Sequence, residues 1–458
     1  MKALKAILTG AILTAVVGSA EADVIVHITG STAYRTQTHL AIAKVLGGSP
    51  TAAYNSGSLS GASKTWFKGT IASLPTLGDV TIKCAWSGAV DGTATVAKQA
   101  NAAFLPNTVS ASSAANSSGS SVTGGTQIAD ATVNEPAEVA MVDQFQASTP
   151  FTSPTLVQTK VGVIAFEWVL SESSSATAMG NTTSGVASVT NLTTTTGLSV
   201  GQLVSGAAFP AGTVITAIDT VGATITTSAP ATATGTSSTL NFGAAFSNVT
   251  PALIQALFKN GAQPKSLFTN NPADTALVYP TGRDPFSGTR VIGLAESGVG
   301  ANFSIVQHQI LATATDGTGT VTSLTTQYPA TVTNGAIGAT LPRGGETGGG
   351  NLANLMGSVS NDSTGYAVTY LGTSDAATAV SKGAHRLTWN GVPYSLSAVQ
   401  NGQYTFWSYE HLAYRSDVAA NIKSVADAIA NQLINVDATI KLSTMRVQRS
   451  GDGTVVTP

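Results

Sequence analysis

One short segment of this chain has the residue types and spacing to hold a tetrahedral oxyanion: Gly282-Arg283-Asp284-Pro285-Phe286-Ser287-Gly288-Thr289. A guanidinium can donate two parallel hydrogen bonds to such an anion, which the point charge of a lysine cannot do. Four positions on, Gly288 lets the backbone approach a ligand, and Ser287 and Thr289 flank it with hydroxyl donors. Val291, Ile292, Leu294 and Ala295 then recur with a helical period, and Glu296-Ser297-Gly298 ends the run. A helix opening at Ser-Gly-Thr would aim free amides and a positive dipole end at the same spot. Gly293 weakens that helix, and a plainer arrangement stays open: Arg283 paired with a carboxylate such as Asp284, and Ser-Gly-Thr as an ordinary turn and N-cap.

The elements that must position this segment read as an α/β host. Val24 to Ile28 is a β-rich run and Thr29-Gly30-Ser31-Thr32 a polar loop; a helix with Leu40, Ala41, Val45 and Leu46 follows until Gly47-Gly48. Strands feeding helices through such loops place ligands at strand C-termini and helix N-termini. A second unit runs from Val80 to Ala85 into Trp86-Ser87-Gly88, with a helix expected through Val96 to Phe104. Residues 108–126 are rich in Ser, Gly, Ala and Asn and read as a mobile surface loop. Val139 to Val142, ending at Asp143, and Val161 to Phe166 read as buried strands. From 172 to 244 the chain turns Thr-rich, with short β-prone runs between glycines, and reads as an inserted all-β module. Thr250-Pro251 opens a capped helix carrying Leu253, Ile254, Leu257 and Phe258. Val418, Ile422, Val425, Ile429 and Leu433 mark the core face of a late helix.

Composition narrows the function classes. Charged residues make up 10% of the 458, against about 25% in ordinary soluble domains, and the formal net charge is -2. Nucleic acid, which calls for a basic face, is not an expected partner. Cys84 is the only cysteine, so no internal disulfide can form, and it reads as a buried thiol. His27, His39, His308, His385 and His411 show no ligand spacing; neither a metal nor another cofactor is expected. Lys2 and Lys5, the apolar run from Ala6 to Val17 and Ala20-Glu21-Ala22 form the three parts of a secretory signal peptide. Residues 1–22 are therefore set aside from the fold, and the mature chain is expected to be periplasmic or secreted, cleaved near Ala22, without stable membrane insertion.

Taken together these residues resemble the periplasmic phosphate-binding proteins of ABC transporters. The resemblance is carried by Ile28-Thr29-Gly30-Ser31-Thr32, Asp143, Asn248-Val249-Thr250, Arg283-x-x-x-Ser287-Gly288-Thr289, Gly365-Tyr366, Asn390-Gly391-Val392-Pro393 and Gly402-Gln403-Tyr404. It implies a two-lobed type 2 binding-protein fold with the all-β insert. Lobe 1 would take residues 23–148 and about 386–445, lobe 2 residues 149–171 and 245–385, and the insert residues 172–244. The resemblance implies phosphate held by Ser31, Thr32, Ser87 and Asp143 from one lobe and by Arg283, Ser287, Gly288 and Thr289 from the other. Asp143 would accept a hydrogen bond from a protonated oxyanion and so favour hydrogen phosphate over sulfate. Ala33-Tyr34-Arg35 departs from the aromatic and proline that often follow the first loop, and Arg35 reads as solvated. The implied protein is a monomeric, non-enzymatic receptor that delivers inorganic phosphate to a membrane permease. Ser287 has no activating His or Lys at a motif spacing. The alternative is a cell-surface or matrix protein that uses the insert for adhesion, a reading suited by low charge and abundant Ser and Thr.

Overall fold

The computed structural model describes residues 23–47, 50–117, 121–171, 176–196, 198, 200–210, 213–243, 246–270, 272, 274–360 and 365–458. The signal-peptide reading at 1–22 and both edges of the expected insert, at 172–175 and 244, lie outside these residues.

The chain opens as its pattern dictates. β1 (Val24–Gly30) runs parallel between two neighbours and is buried on both faces, Val26 and Ile28 fully so on one and His27 and Thr29 on the other. It leads into α1 (Arg35–Val45), which buries Leu40, Ala41 and Ile42. Then follow β2 (Thr51–Tyr54), β3 (Lys64–Thr70) and β4 (Asp79–Trp86), and α2 (Ala89–Lys98). The helix expected through Phe104 stops earlier: Gln99 turns left-handed at φ 51°, and β5 (Asn101–Phe104) pairs antiparallel with Val133–Pro136. The loop expected at 108–126 is instead the hairpin of β6 (Ser112–Ser117) and β7 (Ser121–Gly124), added to the edge of β2. Ala114 and Val122 are its buried anchors, and Ser60 Oγ both donates to the Val122 carbonyl and accepts from its amide.

β8 (Val139–Val142) completes the first half, and β9 (Leu156–Leu170) joins it to the second. The next host elements are α3 (Pro251–Asn260), β10 (Leu277–Pro280), α4 (Gly288–Glu296), the hairpin of β11 (Thr331–Asn334) and β12 (Ala339–Pro342), and β13 (Tyr366–Gly372). α5 (Thr373–Ser381), β14 (His385–Trp389), β15 (Trp407–Arg415) and α6 (Ala420–Gln432) close the fold. Thr250 caps α3 as its sequence requires, its hydroxyl accepting from the Leu253 amide at 3.4 Å.

One continuous mixed sheet runs β10, β13, β9, β15, β8, β1, β4, β3, β2, β6, β7. β9 is the shared element. Leu156 to Ala165 pair with β15, whereas Phe166 to Leu170 pair with β13, and Trp168 to Leu170 also with β14. The architecture is thus mixed α/β, with two halves meeting along β9 and β15. Between Ala176 and Phe242 the chain builds two three-stranded antiparallel sheets around a separate core that includes Val189, Val204, Ile215, Ile225, Leu240 and Phe242. Cys84 is buried in the main core, and burial pushes its thiol up to about 12. No helix among the described residues is long and apolar enough to cross a membrane.

Candidate functional site

Because β1, β4 and β8 run parallel, their C-terminal ends share one edge, and the residues that follow them converge there. Gly30 is required at this edge: it has φ +115°, and a Cβ on it would lie 2.0 Å from the Met141 carbonyl oxygen. That approach lets the Ser31 amide donate to Met141 O at 2.7 Å and the Gly88 amide to Gly30 O at 2.9 Å. Ser31 and Asp143 are buried at this edge, and the Ser31 hydroxyl faces the Asp143 carboxyl and helps to hold its pKa down.

The second half supplies the Arg283 segment, held on all sides. Arg283 Nε donates to Glu346 O at 3.1 Å and Nη2 to Thr347 O at 2.8 Å, while its own carbonyl accepts from Gln307 Nε2 and Arg290 Nη1. Asp284 does not pair with Arg283. Its Oδ1 accepts from the Phe286 amide at 2.9 Å and shapes the turn, and burial pushes its carboxyl up to about 6. Ser287 is the extended N-cap residue of α4, whose helix starts at Gly288 with no side-chain cap. Ser287, Thr289 and Arg283 are all buried.

Arg283 is only 3% exposed and forms no ion pair among the described residues. The buried carboxyls of Asp143, Asp284 and Asp375 all feel its charge, yet none closes an ion pair on it, and a bound anion could complete the compensation of this buried cation.

The two halves meet at this segment. A Cβ on Gly288 would lie 1.7 Å from Asp143 Oδ1 and 2.4 Å from Gln144 Oε1, so the start of α4 is pressed against the end of β8. The Phe286 carbonyl accepts from the Val90 and Asp91 amides at 3.0 and 3.3 Å. Phe286 also packs with Ala94 of α2 and with Ile337 and Ala339 of the β11–β12 hairpin. Asn334 Nδ2 donates to Asp91 Oδ1 at 2.6 Å, and Lys98 Nζ to Ile337 O at 2.6 Å. Burial raises Asp143 to about 7, the Arg283 charge pulling it down and Asp452 pushing it up.

The structure therefore brings Ser31, Asp143, Arg283, Ser287, Gly288 and Thr289 to one junction. Thr32 is half-buried in the turn before α1. Ser87 is exposed, its hydroxyl 3.3 Å from that of Thr29. Arg35 is not solvated: its Nε is buried without a hydrogen-bond partner, and burial lowers its pKa while the charge of Asp375 opposes the shift. Asp375, in the first turn of α5, escaped the sequence reading. Burial raises its carboxyl, while Arg283 and Arg35 both pull it down. A Cβ on Gly349 would meet Asp375 Oδ2 at 2.0 Å and Arg283 Nη1 at 3.4 Å, which places acid and guanidinium around one glycine. An acid two residues into a helix after a strand-ending glycine was the available signal. A cavity of about 230 Å³ lies between Ala33, Tyr34 and Gln37, which follow β1, and Gly372, Thr373 and Tyr394.

No family model matches the chain, and no curated protein matches it in sequence. Among solved structures, it is similar to a candidate phosphate ABC transporter substrate-binding protein of Clostridium perfringens, solved with bound phosphate. The identity is 11%, the TM-score 0.40, and the likeness covers 91% of this chain and 99% of that one. An ABC-type phosphate transport receptor from Vibrio cholerae is similar at 10% identity and TM-score 0.39, covering 89% and 93% of the two chains. PstS from Borrelia burgdorferi is similar at 10% identity and TM-score 0.34, covering 89% and 92%.

Proposed function

We propose that this chain is an extracytoplasmic solute-binding protein that captures inorganic phosphate between its two halves and passes it to an ABC-type permease. The observation that carries the reading is the buried Arg283 guanidinium, held by the Glu346 and Thr347 carbonyls and closing no ion pair among the described residues, beside the uncapped start of α4. Two of its nitrogens are bound to the carbonyls of Glu346 and Thr347, which fix the plane of the group and leave Nη1 for a ligand. Gly288 and Thr289 add main-chain amides and the dipole of α4, and Ser31, Ser287 and Thr289 add hydroxyls. Asp143 is the one acceptor in the set, and in its ionised form it takes the proton of hydrogen phosphate. Thr32 and Ser87 stand at the rim. No bond is made or broken in this reading: the anion bridges two lobes and holds them closed. The carrier works as a monomer outside the cytoplasm, after loss of residues 1–22.

Calorimetric titration of the mature chain tests this reading. Phosphate should bind one per chain at micromolar affinity or tighter, and Arg283→Ala should abolish it; absence of heat from the unaltered chain would end the proposal. A second reading, a surface or matrix protein, draws on the separate core of the Ala176–Phe242 module and on Val221, 96% exposed at one of its turns. Deleting 176–242 separates the two, since a receptor keeps its phosphate affinity and an adhesin loses surface attachment.

A further inference from the structure

Segment 446–457 has no part in the anion reading, yet it ties the far end of α4 to the strand end that carries Asp143. Gln448 and Thr457 exchange both backbone hydrogen bonds, at 2.7 and 2.9 Å, and so close a loop over 449–456. At its base Val447 and Val456 pack on the main core, where a Cβ on Gly402 would meet them at 2.9 and 3.2 Å. The loop is therefore seated on the fold on a fixed base.

Three of its residues make the tie. Arg449 is buried, and its Nη1 lies 3.0 Å from Oε2 of Glu296, the last residue of α4. The same nitrogen donates to Trp407 O at 2.9 Å and Nη2 to Thr405 O at 2.7 Å, with the guanidinium 4.2 Å from the Trp407 ring centroid. Parting so dry an ion pair would strand a charge, so the contact resists being opened. Gly453, at φ +68°, comes so near α4 that a Cβ on it would lie 2.4 Å from the Ala295 carbonyl oxygen. On the other side Asp452 Oδ2 accepts from the amide of Phe145, two residues beyond Asp143, at 2.9 Å, and Oδ1 accepts from Ser408 Oγ at 2.8 Å. Trp407 and Ser408 pair with Ala165 and Ile164 of β9, and at the next residue, Phe166, β9 passes to β13. The anchors thus sit where the shared strand crosses from one half to the other.

We propose that the 449–453 loop is a hinge clamp, in which Arg449, Asp452 and Gly453 are positioning residues that hold the start of α4 against Asp143. The inference rests on the phosphate reading for the ion that the site admits. Every contact in the clamp joins protein groups, so it stabilises the closed arrangement equally with and without an anion. A contact of that kind leaves affinity unchanged while the anion-free chain is mainly closed, and it slows entry and release together. The clamp sets how fast the ion comes and goes. α4 is its lever, gripped at Ala295 and Glu296 and carrying Gly288 at its other end.

The test is the association and release of radiolabelled phosphate with the full mature chain, Asp452→Ala and Asp452→Asn, joined to residue-level hydrogen exchange of the anion-free proteins. Both variants lose the charge, but Asn keeps the two bonds, its carbonyl oxygen accepting from Phe145 and its amide donating to Ser408. Asp452→Ala should therefore take up and release phosphate about tenfold faster than Asp452→Asn, at an affinity within about threefold. Hydrogen exchange reads the clamp without an anion. The Val90 and Asp91 amides lie in the first turn of α2, where a helix leaves amides free, and their partner is the Phe286 carbonyl of the other half. They should exchange about tenfold faster in Asp452→Ala than in Asp452→Asn, while the Leu46 amide, bonded to Ile42 within the first half, keeps its rate. Unchanged exchange at Val90 and Asp91, or a loss of affinity with no gain in the association rate, overturns the proposal. If the unaltered chain binds no phosphate, the receptor reading falls and the exchange comparison alone decides the clamp. If Asp452→Ala does not fold, Gly453→Ala, at an exposed position, pushes the loop off Ala295 and must speed entry and release together; slow rates in that variant overturn the clamp.

Discussion

Two helix starts in this molecule are near-copies in sequence and differ in what surrounds them. Trp86-Ser87-Gly88-Ala89 opens α2 and Phe286-Ser287-Gly288-Thr289 opens α4, each with a serine and a glycine where the amides are free. At α2 the demand is met from within. The Phe286 carbonyl takes the Val90 and Asp91 amides, Asp91 sets an acid in the first turn, and Ser87 faces Thr29. At α4 there is neither a side-chain cap nor an acid in the first turn, and the buried Arg283 precedes it. A helix N-terminus is therefore not a ligand site by its sequence alone. What separates the two is how the start is met: at α2 by a carbonyl from the other half and a first-turn acid of its own, at α4 by Asp143 pressed against Gly288 with the Arg283 cation beside it.

Substitutions can break that contrast. Arg283→Ala should have the largest effect, weakening phosphate by at least about 100-fold, because the anion loses its buried counter-charge; titration calorimetry reads this directly. Gly288→Ala comes next. Its Cβ would meet Asp143 Oδ1 at 1.7 Å, so α4 must shift away from β8, and phosphate should weaken by about tenfold with a lower Tm. The serines give the smallest pair of effects and the sharpest comparison: Ser287→Ala should cost several-fold in affinity, Ser87→Ala about twofold or less. Equal losses at the two serines would mean that both helix starts serve the ligand.

Asp143 adds a pH signature. Its folded pKa, about 7, exceeds its unfolded value, so the folded state holds a proton that the unfolded state releases. The stability this contributes is present at acid pH and is lost as pH rises from about 4 through about 7. Thermal unfolding in phosphate-free buffer should therefore show a flatter dependence on pH for Asp143→Asn than for the unaltered chain over that window. Parallel curves would contradict the buried, proton-holding Asp143.

The strand-loop-helix opening, the capped α3 and the Arg283 loop were legible because each depends on local chemistry: β-branched runs, a Thr-Pro cap, an Arg four residues before Ser-Gly-Thr. The β6–β7 hairpin was not, since Ser, Thr and Asn dominate it and only Ala114 and Val122 among its described side chains turn inward. A strand laid on a sheet edge needs little hydrophobic alternation, so its composition looks like that of a loop. The end of α2 was misjudged because nothing in Gln99-Ala100 announces a left-handed turn. Asp452 was invisible for a different reason, and Asp375 showed no more than an acid in a first helical turn. Their places beside Phe145 and Arg283 come from the meeting of distant segments, which no local spacing encodes.

The location of the anion is the central claim, and arsenate can test it as an isostere of phosphate with a strong anomalous signal. A crystal of the mature chain grown with arsenate should show one anomalous peak, between the Arg283 guanidinium, the first turn of α4 and Asp143. A peak at the α2 start instead, or none at saturating arsenate, would contradict the account.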